Sequence, residues 1–182
     1  MNIFDDFNST YTFKIITETN GNEGERFYYP SASTQGGRDG IMILVKPQDS
    51  KSWLGTFAFD DMFNEERDYY GVYTTPSSDN FCVVTGASGY WVSSKNPHEC
   101  KRIEAYPIVD VHVLKEKQLI LFSDFTTICA YGVNGFKWRT KRICPDGFII
   151  TSIDDEFIVG KYTDWDQYTK MFGVNLNSGE IE

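Results

Sequence analysis

The chain has 182 residues, enough for one domain whose hydrophobic core needs neither disulfides nor metals. Its formal net charge of −9 and sequence pI of about 4.7 argue against binding to nucleic acids or anionic membranes, because those surfaces are also negatively charged. Aromatic residues make up 16% of the chain, which favours strands over helices.

The first thirteen residues contain neither a basic segment nor an apolar one, so we expect no signal peptide. No apolar run approaches the length of a membrane span. The four cysteines form no CxxC pair, and Cys82 and Cys129 lie in apolar runs, as buried thiols do. We therefore expect free thiols and a cytoplasmic location.

Turn-forming residues interrupt the chain often and separate short runs rich in Val, Ile, Phe, Tyr and Thr. This spacing is typical of an antiparallel β meander, with one short helical turn around Asp60–Tyr69. The predicted strands, in chain order, are Tyr11–Thr17, Arg26–Tyr29, Ile41–Lys46, Trp53–Phe59, Gly71–Thr75, Phe81–Thr85, Tyr90–Ser93, Ile108–Leu114, Leu119–Ser123, Thr127–Tyr131, Phe136–Thr140, Phe148–Ile153, Phe157–Tyr162 and Tyr168–Leu176.

An apolar run recurs at a step of about 38 residues. Trp53 and Trp91 stand at matching positions after the first two runs. We predict a single domain over 1–182, with N-terminal strands and a long loop in 1–40, and with repeats near 41–70, 71–107, 108–146 and 147–182. The recurring runs are Ile43–Val45, Phe81–Val83, Leu119–Leu121 and Phe157–Val159.

Two segments resemble blades of a β-propeller of the WD40 or quinoprotein-like kind. In Ile120–Trp138, two strands lead into a Gly-containing turn and then a Trp, and Phe157–Gly179 is similar. The resemblance covers about residues 72–182 and lacks the Gly-His and Trp-Asp signatures of WD40 repeats. It implies a small propeller-like fold, in which strand Tyr11–Thr17 would close the set beside Tyr168–Leu176. A β-sandwich or an open barrel is the alternative.

Paired acidic residues and two tryptophans are the candidate binding residues. Most of the carboxylates fall in predicted turns, where Asp is favoured for its hydrogen bonds to the main chain. Neighbours on a strand point to opposite faces, so adjacent carboxylates do not form a catalytic pair. The candidates are Asp60, Asp61, Glu65, Glu66, Trp91, Asp164, Trp165 and Asp166.

The sequence predicts no catalytic residue, metal site or cofactor. His98 and Cys100 come nearest to a thiol–imidazole pair, but their closeness in sequence does not establish contact in space. An ordinary loop thiol is the simpler interpretation.

These features favour a non-catalytic protein-binding module, in its narrower form an inhibitor or immunity-type protein that neutralises a basic partner. Two other classes stay open. A carbohydrate-active enzyme or carbohydrate-binding protein would need carboxylates in a cleft with aromatic walls. A structural or assembly subunit would need a large exposed apolar interface.

Overall fold

The computed structural model describes residues 1–35, 39–60 and 67–182, and strands dominate these ranges. They contain sixteen strands and one turn of 3-10 helix, Lys115–Lys117, which confirms the predicted all-β class. No helix in these ranges has the length and apolarity needed to cross a membrane. The helical turn predicted around Asp60–Tyr69 falls largely outside the described residues.

The strands, numbered in chain order, form four sheets, here called I to IV. Sheet I has the spatial order β2 (Tyr11–Ile16), β4 (Gly40–Pro47), β5 (Trp53–Ala58) and β3 (Glu25–Tyr29). Sheet II has the order β1 (Asn2–Phe4), β6 (Gly71–Thr74), β7 (Asn80–Thr85), β8 (Ser88–Ser93) and β9 (Cys100–Arg102). Sheet III runs through β10 (Asp110–Leu114), β11 (Leu119–Ser123), β12 (Ile128–Gly132) and β13 (Gly135–Arg139), and sheet IV through β14 (Phe148–Ile153), β15 (Phe157–Thr163) and β16 (Thr169–Asn175).

Sheets III and IV are antiparallel meanders, whereas sheets I and II each contain a parallel pair. The prediction of an antiparallel meander throughout is therefore wrong for the first two sheets. In sheet I, β3 precedes β4 in the chain but lies beyond β5. Packing explains this position, because Tyr29 of β3 stacks on Phe57 of β5 with ring centroids 4.3 Å apart.

The N-terminal strand β2 does not close the set beside β16, so that prediction is wrong. It pairs with β4 from Tyr11 opposite Pro47 to Ile16 opposite Met42, and its apolar face joins the core between sheets I and II. The free edge of β16 is instead partly covered by the C-terminal residues, since the N–H of Glu182 donates to the carbonyl oxygen of Gly173 at 3.0 Å. None of the four sheets closes on itself.

The four sheets pack face to face in the order I, II, III, IV. Strand β7 shows how, because its side chains alternate between two cores. Phe81 and Val83 belong to the core between sheets I and II, whereas Cys82 and Val84 belong to the core between sheets II and III. A strand buried on both faces has a continuous apolar run instead of an alternating one, as this segment does.

Strand β11 repeats this arrangement one sheet further on. Ile120 and Phe122 pack toward sheet II, while Leu119 and Leu121 pack toward sheet IV. Among the described residues, no core cluster joins sheet IV to sheet I. Sheets II and III are therefore covered on both faces, and within the part of the chain that the structure describes each end sheet has one face without a neighbouring sheet.

Two glycines of sheet IV, Gly160 and Gly173, test the packing of the core between sheets III and IV. A Cβ at Gly160 would overlap the ring of Phe172 and lie 2.6 Å from the carbonyl oxygen of Ile149, whereas nothing lies within 4 Å of a Cβ at Gly173. We expect Gly160→Ala to lower the free energy of unfolding by about 1–3 kcal/mol, because overpacking forces neighbours to shift. Gly173→Ala, the matched control, should change it by less than about 0.5 kcal/mol. Urea denaturation of both variants measures the difference, and equal stabilities would contradict this packing.

Candidate functional site

Three exposed aromatic residues lie on loops at one end of sheets III and IV. Phe125 is 46% exposed, Trp165 is 79% exposed and Tyr168 is 71% exposed. We call these three residues the aromatic rim. Large aromatic side chains are usually at least partly covered in a monomer, so three of them on adjacent loops form an unusual surface.

The loop that carries Phe125 is organised by the buried carboxylate of Asp124. Its Oδ1 accepts the main-chain N–H groups of Thr126 and Thr127, both at 2.7 Å, and its Oδ2 accepts the hydroxyl of Thr127 at 2.6 Å. Arg139 donates to the same Oδ2 at 2.9 Å. The Thr126 hydroxyl donates to Oδ1 as well, at 3.3 Å. Five donors therefore hold a charge that is removed from water, and the tight turn directs Phe125 outward.

The loop that carries Trp165 and Tyr168 is the hairpin between β15 and β16. The N–H of Asp164 donates to the carbonyl of Tyr168 at 3.0 Å, and the Asp164 carboxylate accepts the N–H of Trp165 at 2.8 Å. Lys170 forms an ion pair with Asp164. This ion pair, together with the hydrogen bond from the Trp165 N–H, holds the pKa of the Asp164 carboxyl below its usual range. These bonds fix the turn while leaving both aromatic rings exposed.

A segment between β13 and β14 connects the two loops. The N–H of Gly147 donates to the carbonyl oxygen of Phe125 at 3.0 Å, and Ile143 donates to Thr126 at 2.8 Å. Two shallow depressions flank this segment. One, of about 460 Å³, includes Trp165, and the other, of about 660 Å³, includes Phe125. The rim is therefore a nearly continuous surface rather than two isolated tips.

The structure brings together three of the eight predicted binding residues and places Asp60 and Trp91 away from them. Asp164, Trp165 and Asp166 share the hairpin just described, where Asp166 accepts the N–H of Tyr168 at 3.2 Å. Asp60 lies elsewhere, and its Oδ1 accepts the N–H of Ala87 at 3.0 Å. The predicted residues Asp61, Glu65 and Glu66 lie outside the described residues.

Trp91 also lies away from the aromatic rim. It is only 6% exposed, and its ring centroid is 5.1 Å from that of Tyr131. Phe125 was not among the predicted residues, although the pattern Asp124-Phe125-Thr126-Thr127 resembles the turns in which an Asp side chain caps the next N–H groups.

The neighbouring residues His98 and Cys100 have structural contacts of their own. The His98 ring packs edge-on against Phe27 with centroids 5.2 Å apart. Burial raises the pKa of the Cys100 thiol to about 12, so its nucleophilic thiolate is scarcely populated at neutral pH. All four cysteines are free thiols, as the sequence predicts. No cluster of His, Cys, Asp or Glu that could hold a metal ion occurs in the described ranges.

Comparison with known proteins provides no assignment. No family model matches the chain, and no curated protein matches it significantly.

The role of Asp124 in ordering the Phe125 loop is testable. Asp124→Asn replaces one carboxylate oxygen by an amide donor and removes the charge that Arg139 faces. We expect the free energy of unfolding to fall by about 1–3 kcal/mol, because buried donors lose their acceptor. Asp146→Asn, at an exposed site on the neighbouring segment, should change it by less than about 0.5 kcal/mol. Urea denaturation at neutral pH compares the variants, and a stable Asp124→Asn protein would contradict this role.

Proposed function

We propose that this chain is a non-catalytic protein-binding module whose contact surface is the aromatic rim. Its narrower form is an inhibitor or immunity-type protein that neutralises a basic protein in the cytoplasm. Neither nucleic acid nor membrane is a partner in this proposal, and no cofactor takes part. The observation that carries it is the exposure of Phe125, Trp165 and Tyr168 on loops held in place by buried or hydrogen-bonded aspartates.

Rigid presentation of aromatic rings supports protein binding for an energetic reason. Trp and Tyr are enriched among the residues that dominate binding energy at protein interfaces. A ring on a preformed turn loses little conformational freedom on binding, so more of its contact energy remains as affinity. The hydrogen bonds around Asp124 and Asp164 supply that rigidity.

The charge of the chain supports a basic partner. A net charge of −9 on 182 residues attracts a cationic protein over long range and raises the rate of encounter. It also disfavours binding to other acidic macromolecules. Part of the charge near the rim is already paired, because Lys170 contacts both Asp164 and Asp166. The attraction is therefore a property of the whole surface, and the specific contacts come from the rings.

The proposed scaffold is propeller-like, with each sheet corresponding to one blade. Its support is the order of the sheets, which follow the chain from β2 to β16 apart from β1, and which pack face to face on their successors. Three to five strands per sheet also suit blades of about 38 residues.

The two alternative functions each have one feature to recommend them. The carbohydrate alternative is favoured by a groove between sheets II and III that is lined by Glu99, Glu104 and aromatic side chains. The assembly-subunit alternative is favoured by Ile149 and Met171, which are exposed on the outer face of sheet IV. Neither surface combines exposed aromatic rings with ordered loops as the aromatic rim does.

Substitution of the rim tests the proposed function. Proteins captured from the native host by the unmodified chain should include a basic protein, and the purified pair should bind in isothermal titration calorimetry. We expect Trp165→Ser to weaken that binding by about tenfold or more, because a central aromatic anchor is lost. Raising the salt concentration should slow association, because the steering charge is screened.

The control is Ile3→Ser, which removes another exposed apolar side chain, on sheet II and away from the aromatic rim. It should leave the affinity within about twofold, as for a residue outside the contact. A captured partner that binds the Trp165→Ser and Tyr168→Ser variants as tightly as the unmodified chain would overturn the rim as the contact surface. Absence of any specific protein partner would overturn the function itself.

A further inference from the structure

A groove of about 870 Å³ separates the outer parts of sheets II and III. Sheet II contributes Trp91 and Lys101, and sheet III contributes Tyr131 and Phe136. Phe136 is exposed, as is Val133 at the end of the groove. The groove lies between the second and third sheets, so it is a surface distinct from the aromatic rim.

Each junction between sheets contains a buried tryptophan, and the partners of the indole N–H groups differ. Trp53 and Trp91 lie on the inner strands β5 and β8, and Trp138 lies on the edge strand β13. At the junction of sheets I and II, the indole N–H of Trp53 donates to the carbonyl oxygen of Ser94 at 2.7 Å. At the junction of sheets III and IV, the indole N–H of Trp138 donates to that of Leu176 at 3.1 Å. At the middle junction, the indole N–H of Trp91 has no acceptor among the described residues.

Chain geometry explains why Trp91 lacks a partner. Ser94 directly follows β8, and Leu176 directly follows β16. Counted from β6 in sheet II and from β14 in sheet IV, each acceptor belongs to the segment that leaves the third strand of its sheet. The corresponding segment after β12 is Val133-Asn134, a two-residue turn that returns at once as β13. This turn comes close to the indole, since a Cβ at Gly135 would lie 4.0 Å from the Trp91 nitrogen, but none of its carbonyl oxygens accepts the N–H. The groove lies beside it.

Trp91 is only 6% exposed as a residue, but its indole nitrogen keeps some exposure to solvent, so the N–H opens into the groove. An acceptor brought by a ligand can therefore reach it and take the place of water. The other two junctions indicate its chemistry, since both acceptors are main-chain carbonyl oxygens of extended or turning segments.

We propose that this groove binds an extended peptide segment of a partner protein. A main-chain carbonyl of the segment accepts the indole N–H of Trp91, and an apolar side chain packs against Phe136 and Val133. Lys101 and Glu104 line the groove and form no ion pair within the described residues. They are available to a carboxylate and to a cationic side chain of the segment.

A peptide fits these observations better than a carbohydrate does. The indole is reached only at its N–H edge, because its ring packs on Tyr131 and the side chain is almost fully buried. Sugars are bound mainly on exposed aromatic faces, and only Phe136 offers one in this groove. A single carbonyl oxygen reaching the indole edge is what the two occupied junctions already show.

The test uses the full chain and a phage-displayed library of random dodecapeptides. Peptides enriched on the immobilised protein are synthesised and titrated into ¹⁵N-labelled protein, in which the tryptophan indole N–H groups give separate NMR signals. In the free protein, the Trp91 signal should exchange with solvent faster than those of Trp53 and Trp138, because only those two are hydrogen-bonded. Bound peptide should shift the Trp91 signal and slow its exchange.

Two matched variants place the peptide in the groove. Phe136→Glu should weaken peptide binding by about tenfold or more, because a charge replaces an apolar contact. Phe125→Glu makes the same change on the aromatic rim and should leave peptide affinity within about twofold. Retained Trp53 and Trp138 signals show that both variants are folded.

Three outcomes would overturn the groove proposal. They are the absence of any enriched peptide, equal binding to both variants, and a Trp91 signal that responds to an oligosaccharide panel but not to peptides. Each leaves the rim proposal standing, because that proposal is measured with the Trp165→Ser variant and a whole protein partner. Conversely, if the protein partner does not depend on the aromatic rim but peptides still bind in the groove, the rim proposal fails and the groove proposal stands.

Discussion

The fold depends on strands that are buried on both faces. In β7, consecutive side chains from Phe81 to Val84 alternate between two cores, so neither face of the strand is available to water. Burying a large apolar side chain contributes about 1.5–3 kcal/mol, and four in succession make such a strand a strong attachment for both neighbouring sheets. The chain can therefore add sheets one after another, and each new sheet needs only a matching apolar face.

The same constraint determines where function can lie. Side chains of the inner sheets II and III are committed to packing, so the surfaces left for binding are loops, sheet ends and imperfect junctions between sheets. On the loops, carboxylates act as structural anchors. Asp124 is buried with five donors, and Asp164 is engaged by the N–H of Trp165 and by Lys170. Some of the acidic residues of the chain thus order the turns that keep aromatic rings exposed to water.

Local sequence patterns predicted much of the fold and little of the site. The strands of sheets III and IV could be placed because short turns join neighbouring strands, and the pairing follows from sequence order. The parallel pairing of β1 with β6, across almost seventy residues, has no local pattern behind it and depends on tertiary packing. At the site, Trp165 was predicted as an aromatic residue in a loop, whereas Phe125 was missed because an aromatic residue after an apolar strand looks like part of the core.

Trp91 shows why composition alone cannot distinguish a binding residue from a packing residue. Its sequence position matches that of Trp53, and both indoles are almost fully buried, so the two residues look equivalent in pattern and in exposure. The difference arises on another sheet, where the two-residue turn at Val133-Asn134 provides no carbonyl acceptor for the Trp91 indole, as Ser94 does for Trp53. A repeating architecture makes such a difference visible, because each junction between sheets serves as a reference for the next. The acceptor absent at one junction and present at the other two is therefore the strongest structural reason to seek a ligand there.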